Sequence, residues 1–420
     1  MKIIHLTFRE GMSSVFMAQV VKPMGILKAR GRDIGLLVFA PAGEMLRPPL
    51  RKRWKKRLEE IRCTRGLNVS RLPSPPSRLR ALWSEAPLLR LWLRLRLARQ
   101  EPALLHCRGH QAALLALSIK ATMPGLRVLF DCRGVNGAEY AYVRGHADIE
   151  QAPREIAARA REIEAAERRA AVASDAMICV SEAMKQHVMA HWAVPESKIT
   201  VVPCCTDVEA AGPAIAARAA TRRRLGLESR FVVAYSGSLE AWQVPQASLE
   251  WFKRIADLRP DAHLLAITTH PERMNEFARA AGIPKEQRTV LTVPQAQVAE
   301  YLAAADCGLL VRESTQVNRV ASPVKFAEYL AAGVPVLISE GVGDYTEVVR
   351  LENLGAVLPA EVSGPDAAMV LQNFLKRLKA EDGSELARRC NEYAAMNLSW
   401  ERAAEGVEEI FQASHLLPSA

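Results

Sequence analysis

The feature that most constrains the fold is an alternation, along the whole chain, of short continuous apolar runs with helical stretches. Strand candidates in the first half are 2–7, 34–41, 103–107, 127–132, 176–181 and 199–203. The second half offers 231–236, 262–268, 288–293, 307–312, 335–339 and 355–358. Most are unbroken apolar runs, the pattern of parallel strands covered on both faces. The segments between them read as helices, among them 150–173, 247–258 and 294–305. Alternation repeated this often predicts two doubly wound α/β domains. The length of 420 residues fits, because it exceeds what one hydrophobic core usually spans. The boundary is expected near 206–224, where apolar periodicity lapses into an Ala-rich, then Arg-rich stretch. A last helical pattern at 400–414 has no later strand to lead to, so it is expected to pack back on the first domain. The expected divisions are therefore 1–206, 207–396 and 397–420.

Charge is distributed unevenly. The net charge is +10, yet residues 47–99 hold 16 basic and three acidic residues, which leaves the rest of the chain at −3. Within that block Leu50, Trp54, Leu58 and Ile61 form a narrow apolar stripe on a helix opened by Pro48-Pro49. Arg51, Lys52, Arg53, Lys55, Lys56 and Arg57 surround it, as on an interfacial helix at an anionic membrane. Residues 78–99 are also basic and apolar, with arginines scattered around the helix. The alternative is that both helices pack on the sheet with Arg stems as cover. No recognition motif accompanies the charge, so nucleic acid is not an expected partner. No apolar run reaches the ~18 residues of a membrane-spanning helix, and the start lacks the pattern of a secretory signal. The eight cysteines show neither CxxC pairs nor zinc spacing, which points to reduced thiols in the cytoplasm and no metal site. Hydrophobic residues at 49% and charged residues at 24% suit a folded enzyme and exclude a disordered or fibrous chain.

The most informative segment runs from Val311 to Pro335. Ser322 is expected to cap a helix with Pro323 at its first position, and Gly333 to end it before Pro335 opens a strand. The unbonded N–H groups of Val324 and Lys325, with the helix dipole, make an anion site. Lys325 opposes that dipole, which makes sense if an anion such as a diphosphate sits above it. Arg312, at a strand's carboxyl edge, is expected to reach the same ligand, and Glu328 to accept hydrogen bonds from ribose hydroxyls. An ordinary helix with a solvated Lys and Glu fits the same pattern. In the first domain, Gly11 and Ser13 are expected to open a helix toward the ligand crevice. Asp131 and Arg133 end a buried strand, where charged groups point into that crevice or pair with each other. His110 follows another strand and is expected to line the crevice, with His106 buried.

From Arg312 through Asn318 and on from Ser322 to Val336, the chain resembles the donor-binding segment of GT-B fold glycosyltransferases of family 4, the retaining group 1 type. Weaker family-like pieces follow in order: Val180–Met184, Val201-Val202-Pro203 with Asp207, Tyr235–Leu239, and Leu398-Ser399-Trp400. The resemblance covers nearly the whole chain. It implies an α/β protein with two Rossmann-like doubly wound domains facing a cleft, and a C-terminal helix crossing back to the first domain. It implies a nucleoside-diphosphate sugar bound mainly by the second domain and a glycan or lipid-linked acceptor bound by the first. It also implies transfer with retention, no metal or other cofactor, and a leaving diphosphate that helps deprotonate the acceptor.

The donor set carried over is Gly237, Ser238, Arg312, Asn318, Ser322, Pro323, Lys325 and Glu328, with Gly11 and Ser13 in a cleft loop. The catalytic candidates are Asp131, Arg133 and His110; in the family a His often stands where Arg133 falls. Three positions depart from the pattern. Val320 stands where members carry a sugar-facing Glu, and Ser238 and Gln243 where they carry phosphate-binding Arg and Lys. Arg312 and Lys325 are expected to replace those two cations. The expected function is retaining transfer to a lipid-linked or cell-surface saccharide by an enzyme peripheral on the cytoplasmic face of the inner membrane. The competing reading is a non-catalytic scaffold that binds a nucleotide or glycan.

Overall fold

The computed structural model describes residues 1–8, 14–41, 43, 47–74, 87–98, 103–123, 125–380 and 383–412. Backbone contacts divide it into two units. The first holds Met1–Gly137, Pro153–Pro203 and the chain from Trp400 on; the second holds Ala138–Ala152 and Cys204–Ser399.

The first unit is built on seven parallel strands: β1 (Lys2–Phe8), β2 (Asp33–Pro41), β3 (Asn68–Ser74), β4 (Leu104–Arg108), β5 (Arg127–Asp131), β6 (Ala176–Cys179) and β7 (Ile199–Val201). Their order in the sheet is β3-β2-β1-β4-β5-β6-β7. The second unit holds β8 (Phe231–Ser236), β9 (Ala262–Ile267), β10 (Arg288–Leu291), β11 (Cys307–Leu310), β12 (Val336–Ser339) and β13 (Gly355–Leu358). Their order is β10-β9-β8-β11-β12-β13, again parallel. Both sheets are therefore Rossmann-like. Their strand order reverses between β1 and β4 and between β8 and β11, so a crevice opens at the carboxyl ends of each pair.

Burial explains the unbroken apolar runs. Every residue of β8 and β9 is buried. Leu310 and Ile338 belong to the core layer that includes Phe326 and Leu330. Leu309 and Leu337, one residue earlier on the same strands, join Phe252 and Phe374 on the opposite face. Such alternation is what a period of two requires of a sheet covered on both sides.

Four features differ from the sequence reading. The first sheet has seven strands rather than six, because β3 lies inside the basic block. It is an edge strand of mixed polarity with Pro73 near its end, and an edge tolerates a residue that cannot donate to a ladder. The stretch 206–224 contains the helices Ala211–Ala216 and Arg218–Leu225. It is anchored to its own unit, with Arg218 Nη2 2.6 Å and Arg222 Nη1 3.2 Å from the Asp306 carboxylate. The expected helix at 294–305 is a short 3₁₀ turn, Gln295–Gln297, followed by Val298–Leu302. The fourth difference concerns the basic helix Pro48–Arg65, which starts where Pro48 predicts and ends at left-handed Gly66. Its Trp54 and Ile61 are fully buried, and the Arg71 guanidinium of β3 lies 4.8 Å from the Trp54 ring centre. The apolar stripe is thus the helix's packing face, and its cations point outward.

The helix Trp400–Gln412 belongs to the first unit and packs on Lys22–Ala29. Glu408 accepts from Arg32 Nε at 2.8 Å and from Arg30 Nη1 at 3.1 Å. All eight cysteines are free thiols, and only Cys63 is exposed. No helix among the described residues is long and apolar enough to cross a membrane.

Because Trp54 fills the space beneath its helix, Trp54→Ala is expected to cost about 3–5 kcal/mol in urea unfolding. A loss under about 1 kcal/mol would mean that the stripe is not packed.

Candidate functional site

In the second unit the site is built where the sheet order reverses. β8 ends at Ser236, and Gly237 follows with a φ of 143°, a conformation that side chains rarely adopt. Its bare Cα leaves room for the Lys325 ammonium: a Cβ there would stand 1.7 Å from Lys325 Nζ. Lys325 Nζ donates to Gln243 Oε1 at 2.6 Å and lies 5.8 Å from the centre of the Tyr235 ring. Gln243 occupies one of the positions where a phosphate-binding cation is absent. Gln243 thus holds an ammonium that comes from the neighbouring helix.

That helix is Val324–Ala331, and its boundary corrects the sequence reading. Pro323 is itself the boundary residue, with an extended ψ of 120°. Ser322 lies one residue further out and does not cap the helix. Its hydroxyl accepts from the Cys204 N–H at 2.9 Å and stands 2.8 Å from the Tyr345 hydroxyl. The N–H groups of Val324 and Lys325 open the first turn, where no preceding helical carbonyl exists to accept them. Tyr329 fixes the helix to the strands: its hydroxyl accepts from the Ser236 N–H at 2.9 Å and lies 3.3 Å from the Leu309 carbonyl.

Arg312 follows β11. Its backbone N–H donates to Ser339 Oγ at 2.8 Å, and the Ser339 hydroxyl donates back to its carbonyl at 2.7 Å. Its Nη1 donates to Asn318 Oδ1 at 3.1 Å, while its buried Nε has no acceptor among the described residues. Asn318 was a donor-contact candidate, but it is fully buried and also donates to the Glu313 carbonyl at 3.0 Å. It holds Arg312 from behind. Glu328 Oε1 accepts from Gln295 Nε2 at 3.2 Å. Ser238 is half-buried, and its carbonyl accepts from the Tyr235 hydroxyl at 2.9 Å. Val320, where the family acid is missing, is buried.

Burial sets the charge states here. It pulls the Lys325 ammonium down to about 7, helped by the Arg312 charge and opposed by Glu328. Burial also takes Arg312 down to about 10 and pushes the Glu328 carboxyl up, against the pull of Lys325 and Gln295. Two cations penalised by burial and short of counter-charge are what an anionic ligand would relieve.

The first unit carries a separate polar row. Register aligns His5 with His106, Thr7 with Arg108, and Arg108 with Asp131, so all five fall on one face of β1, β4 and β5. Asp131 is fully buried, with Arg133 Nε at 2.6 Å, His106 Nε2 at 3.5 Å and Arg108 Nη1 at 3.9 Å. Burial alone would raise its pKa; Arg133, His106 and Arg108 override that and hold the carboxyl far below its usual range. With no exposed surface, Asp131 cannot meet an acceptor hydroxyl, and it serves to hold Arg133. The His5 and His106 rings meet edge-to-face at 4.4 Å, and burial keeps His5 well below the ordinary histidine pKa. His110 is half-buried at the first position of the helix His110–Lys120. Gly11 and Ser13 lie outside the described residues.

Sequence reasoning missed the row's His5, Thr7 and Arg108. The signal was there: polar residues at alternate positions of otherwise apolar strands. It also missed Glu139, whose carboxyl burial raises to about 7, and the 2.8 Å bond from the Tyr142 hydroxyl to Glu313 Oε2.

Residues 27–210 match the profile of Glycosyltransferase Family 4, and residues 217–396 that of Glycosyl transferases group 1. The chain belongs to the family 4, group 1 glycosyltransferases, and is a transferase enzyme. No curated protein matches it in sequence. Among solved structures it is similar to HepE of Anabaena in complex with UDP, at 14% identity and a TM-score of 0.67, covering 98% of this chain and 100% of that one. A glycosyltransferase from Rickettsia africae matches at 12% and 0.70, covering 98% of each chain. WaaG, a glycosyltransferase involved in lipopolysaccharide biosynthesis, matches at 15% and 0.65, covering 99% of this chain and 100% of that one. The shared fold is GT-B.

Lys325 gives a signed pH prediction. A diphosphate beside it restores its charge, so UDP binding above pH 7 is expected to take up a proton. Affinity should stay level below about pH 7 and fall above it by up to tenfold per pH unit, the slope for one linked proton. Calorimetry in buffers of different ionisation heat measures the uptake, and Lys325→Met should abolish it. Gly237→Ala, strained by about 1–3 kcal/mol and crowding Lys325, is expected to weaken UDP binding by at least about tenfold. Unchanged affinity in that variant would contradict the seat described for the lysine.

Proposed function

We propose that this glycosyltransferase moves a sugar, with retention of configuration, from a nucleoside-diphosphate sugar to a hydroxyl of a lipid-linked or cell-surface saccharide. The observation that carries the donor assignment is Lys325, seated over Gly237 at the end of β8 and tied to Gln243, beside an Arg312 whose Nε has no acceptor among the described residues. HepE is known with UDP-glucose, which makes UDP-sugars the first donors to test. WaaG's part in lipopolysaccharide assembly favours a saccharide acceptor of the cell surface.

In this reading the diphosphate lies against the first turn of Val324–Ala331. Lys325, Arg312 and the N–H groups of that first turn stabilise the charge that develops as the glycosidic bond breaks. Glu328 takes the ribose hydroxyls. The leaving diphosphate, on the same face as the acceptor, accepts the acceptor proton. The protein's cations meet the phosphate charge, and no metal is required. Arg133, oriented by Asp131, and His110 serve the acceptor side in the first unit. The enzyme works peripherally on the cytoplasmic face of the inner membrane, held by the cations of residues 47–99.

The test is turnover of a UDP-sugar panel with membrane extract as acceptor, and anomeric NMR of the product. Transfer with retention that is insensitive to a chelator is expected. Lys325→Met and Arg312→Met should each lower kcat/KM by about ten- to a hundredfold, the loss of one charge-assisted hydrogen bond. UDP binding without turnover of any donor would instead favour the non-catalytic binder to which Val320 points.

A further inference from the structure

The peripheral reading needs a surface that lipid can reach, and the expected stripe on Pro48–Arg65 is unsuited because Trp54 and Ile61 are buried. The second basic helix, Pro87–Ala98, supplies one. It buries Leu89, Leu93 and Leu97 at four-residue intervals, and packs there on the helix His110–Lys120. Leu91, Trp92 and Leu95 stand on the opposite side and are 49%, 47% and 58% exposed. Three large apolar side chains sharing one outward face of a twelve-residue helix are unusual on a water-facing surface.

The flanks of that face are cationic. Arg90 and Arg94 border one side, and Arg96 borders the other, by the 3.6-residue period. Arg96 Nη2 donates to Ser70 Oγ of β3 at 2.5 Å, so this helix meets the edge strand of the sheet. A cavity of about 610 Å³ opens there, bordered by Arg96 and by Lys55 and Arg62 of the first basic helix. Lys2 also borders it, and the acids Asp33 and Glu59 leave its charge net positive. Lys55 and Arg62 are exposed.

We infer that the outer face of Pro87–Ala98 inserts into an anionic lipid surface, with Leu91, Trp92 and Leu95 entering the acyl boundary and the neighbouring cations, including those around the cavity, gripping headgroup phosphates. This inference rests on the peripheral-membrane reading and names the element that carries it. Charge complementarity selects the occupant: an exposed apolar face ringed by arginines matches an anionic bilayer, where aromatic and aliphatic side chains sit below phosphates. The face lies on a different helix from any donor-site residue, so lipid contact and nucleotide binding are separable by mutation.

The experiment uses the full-length protein and vesicles of three parts phosphatidylcholine to one part phosphatidylglycerol, with pure phosphatidylcholine as the neutral arm. Leu91→Gln/Trp92→Gln/Leu95→Gln removes the apolar face at exposed positions, and Arg51→Ser/Lys52→Ser/Lys56→Ser thins the charge. The native protein is expected to bind the anionic vesicles at low salt and to bind neutral ones at least about tenfold more weakly. The apolar triple variant should lose at least about tenfold in vesicle affinity, a loss that added salt does not mimic. It should keep its melting temperature and UDP affinity. The charge variant should lose affinity chiefly at low salt.

Native protein that binds no vesicle would overturn the peripheral reading together with this inference. Native binding that the apolar triple variant retains would overturn this inference alone. A native dimer that the triple variant turns into a monomer, with vesicle binding unchanged, would assign the face to a second copy and overturn it too.

Discussion

The second unit depends on one seat: a lysine ammonium lying over a glycine at the end of a buried strand. Several features serve it. Gly237 lacks the Cβ that would strike Nζ, Gln243 accepts from it, and Tyr329 locks its helix to β8 and β11. The strand order β10-β9-β8-β11-β12-β13 makes the carboxyl ends of β8 and β11 neighbours where crossovers diverge. Burial then lowers the lysine's affinity for its proton while Arg312 stands close by. The arrangement keeps two cations poorly compensated at a helix N-terminus, which an unliganded protein tolerates only because its surroundings hold them. That is the electrostatic shape of an anion site, which is what the proposed diphosphate donor would need.

The first unit uses the same sheet logic with a different result. Its polar groups compensate one another: the Asp131 carboxylate is shared among Arg133, His106 and Arg108, and Gly109 donates its N–H to the Asp131 carbonyl at 2.9 Å. A charge buried and paired in this way fixes geometry and does little chemistry itself. What it presents is an oriented Arg133 and, at the start of the following helix, His110.

Much of this was legible in the residues. Twelve of the thirteen strands among the described residues announce themselves as apolar runs because both sheet faces are covered. β3 did not, since an edge strand of mixed polarity with Pro73 near its end lacks that signature. The helix Val324–Ala331 was legible from Pro323 and Gly333, but its cap was not. Ser322 has the chemistry of a cap, yet its hydroxyl is drawn to Cys204 and Tyr345, partners far off in sequence. Asp131 read as a ligand contact because it is charged at a strand end, and Asn318 because it falls in the segment that resembles the family's donor-binding stretch. Burial, which depends on distant packing, makes them supports for Arg312 and Arg133. The Trp54 stripe shows the same limit: a helical wheel gives the apolar face, and only tertiary contacts say whether that face meets protein or lipid.

The central claim is that burial brings the Lys325 ammonium down to about 7 and that a bound anion raises it again, and lysine side-chain NMR tests it most directly. Titrating the Lys325 ammonium in isotopically labelled protein should give an apparent pKa near 7 in the free enzyme. With UDP bound it should rise toward the ordinary lysine value of about 10.4. A free-enzyme value already near 10, or one that UDP leaves unchanged, would contradict the account.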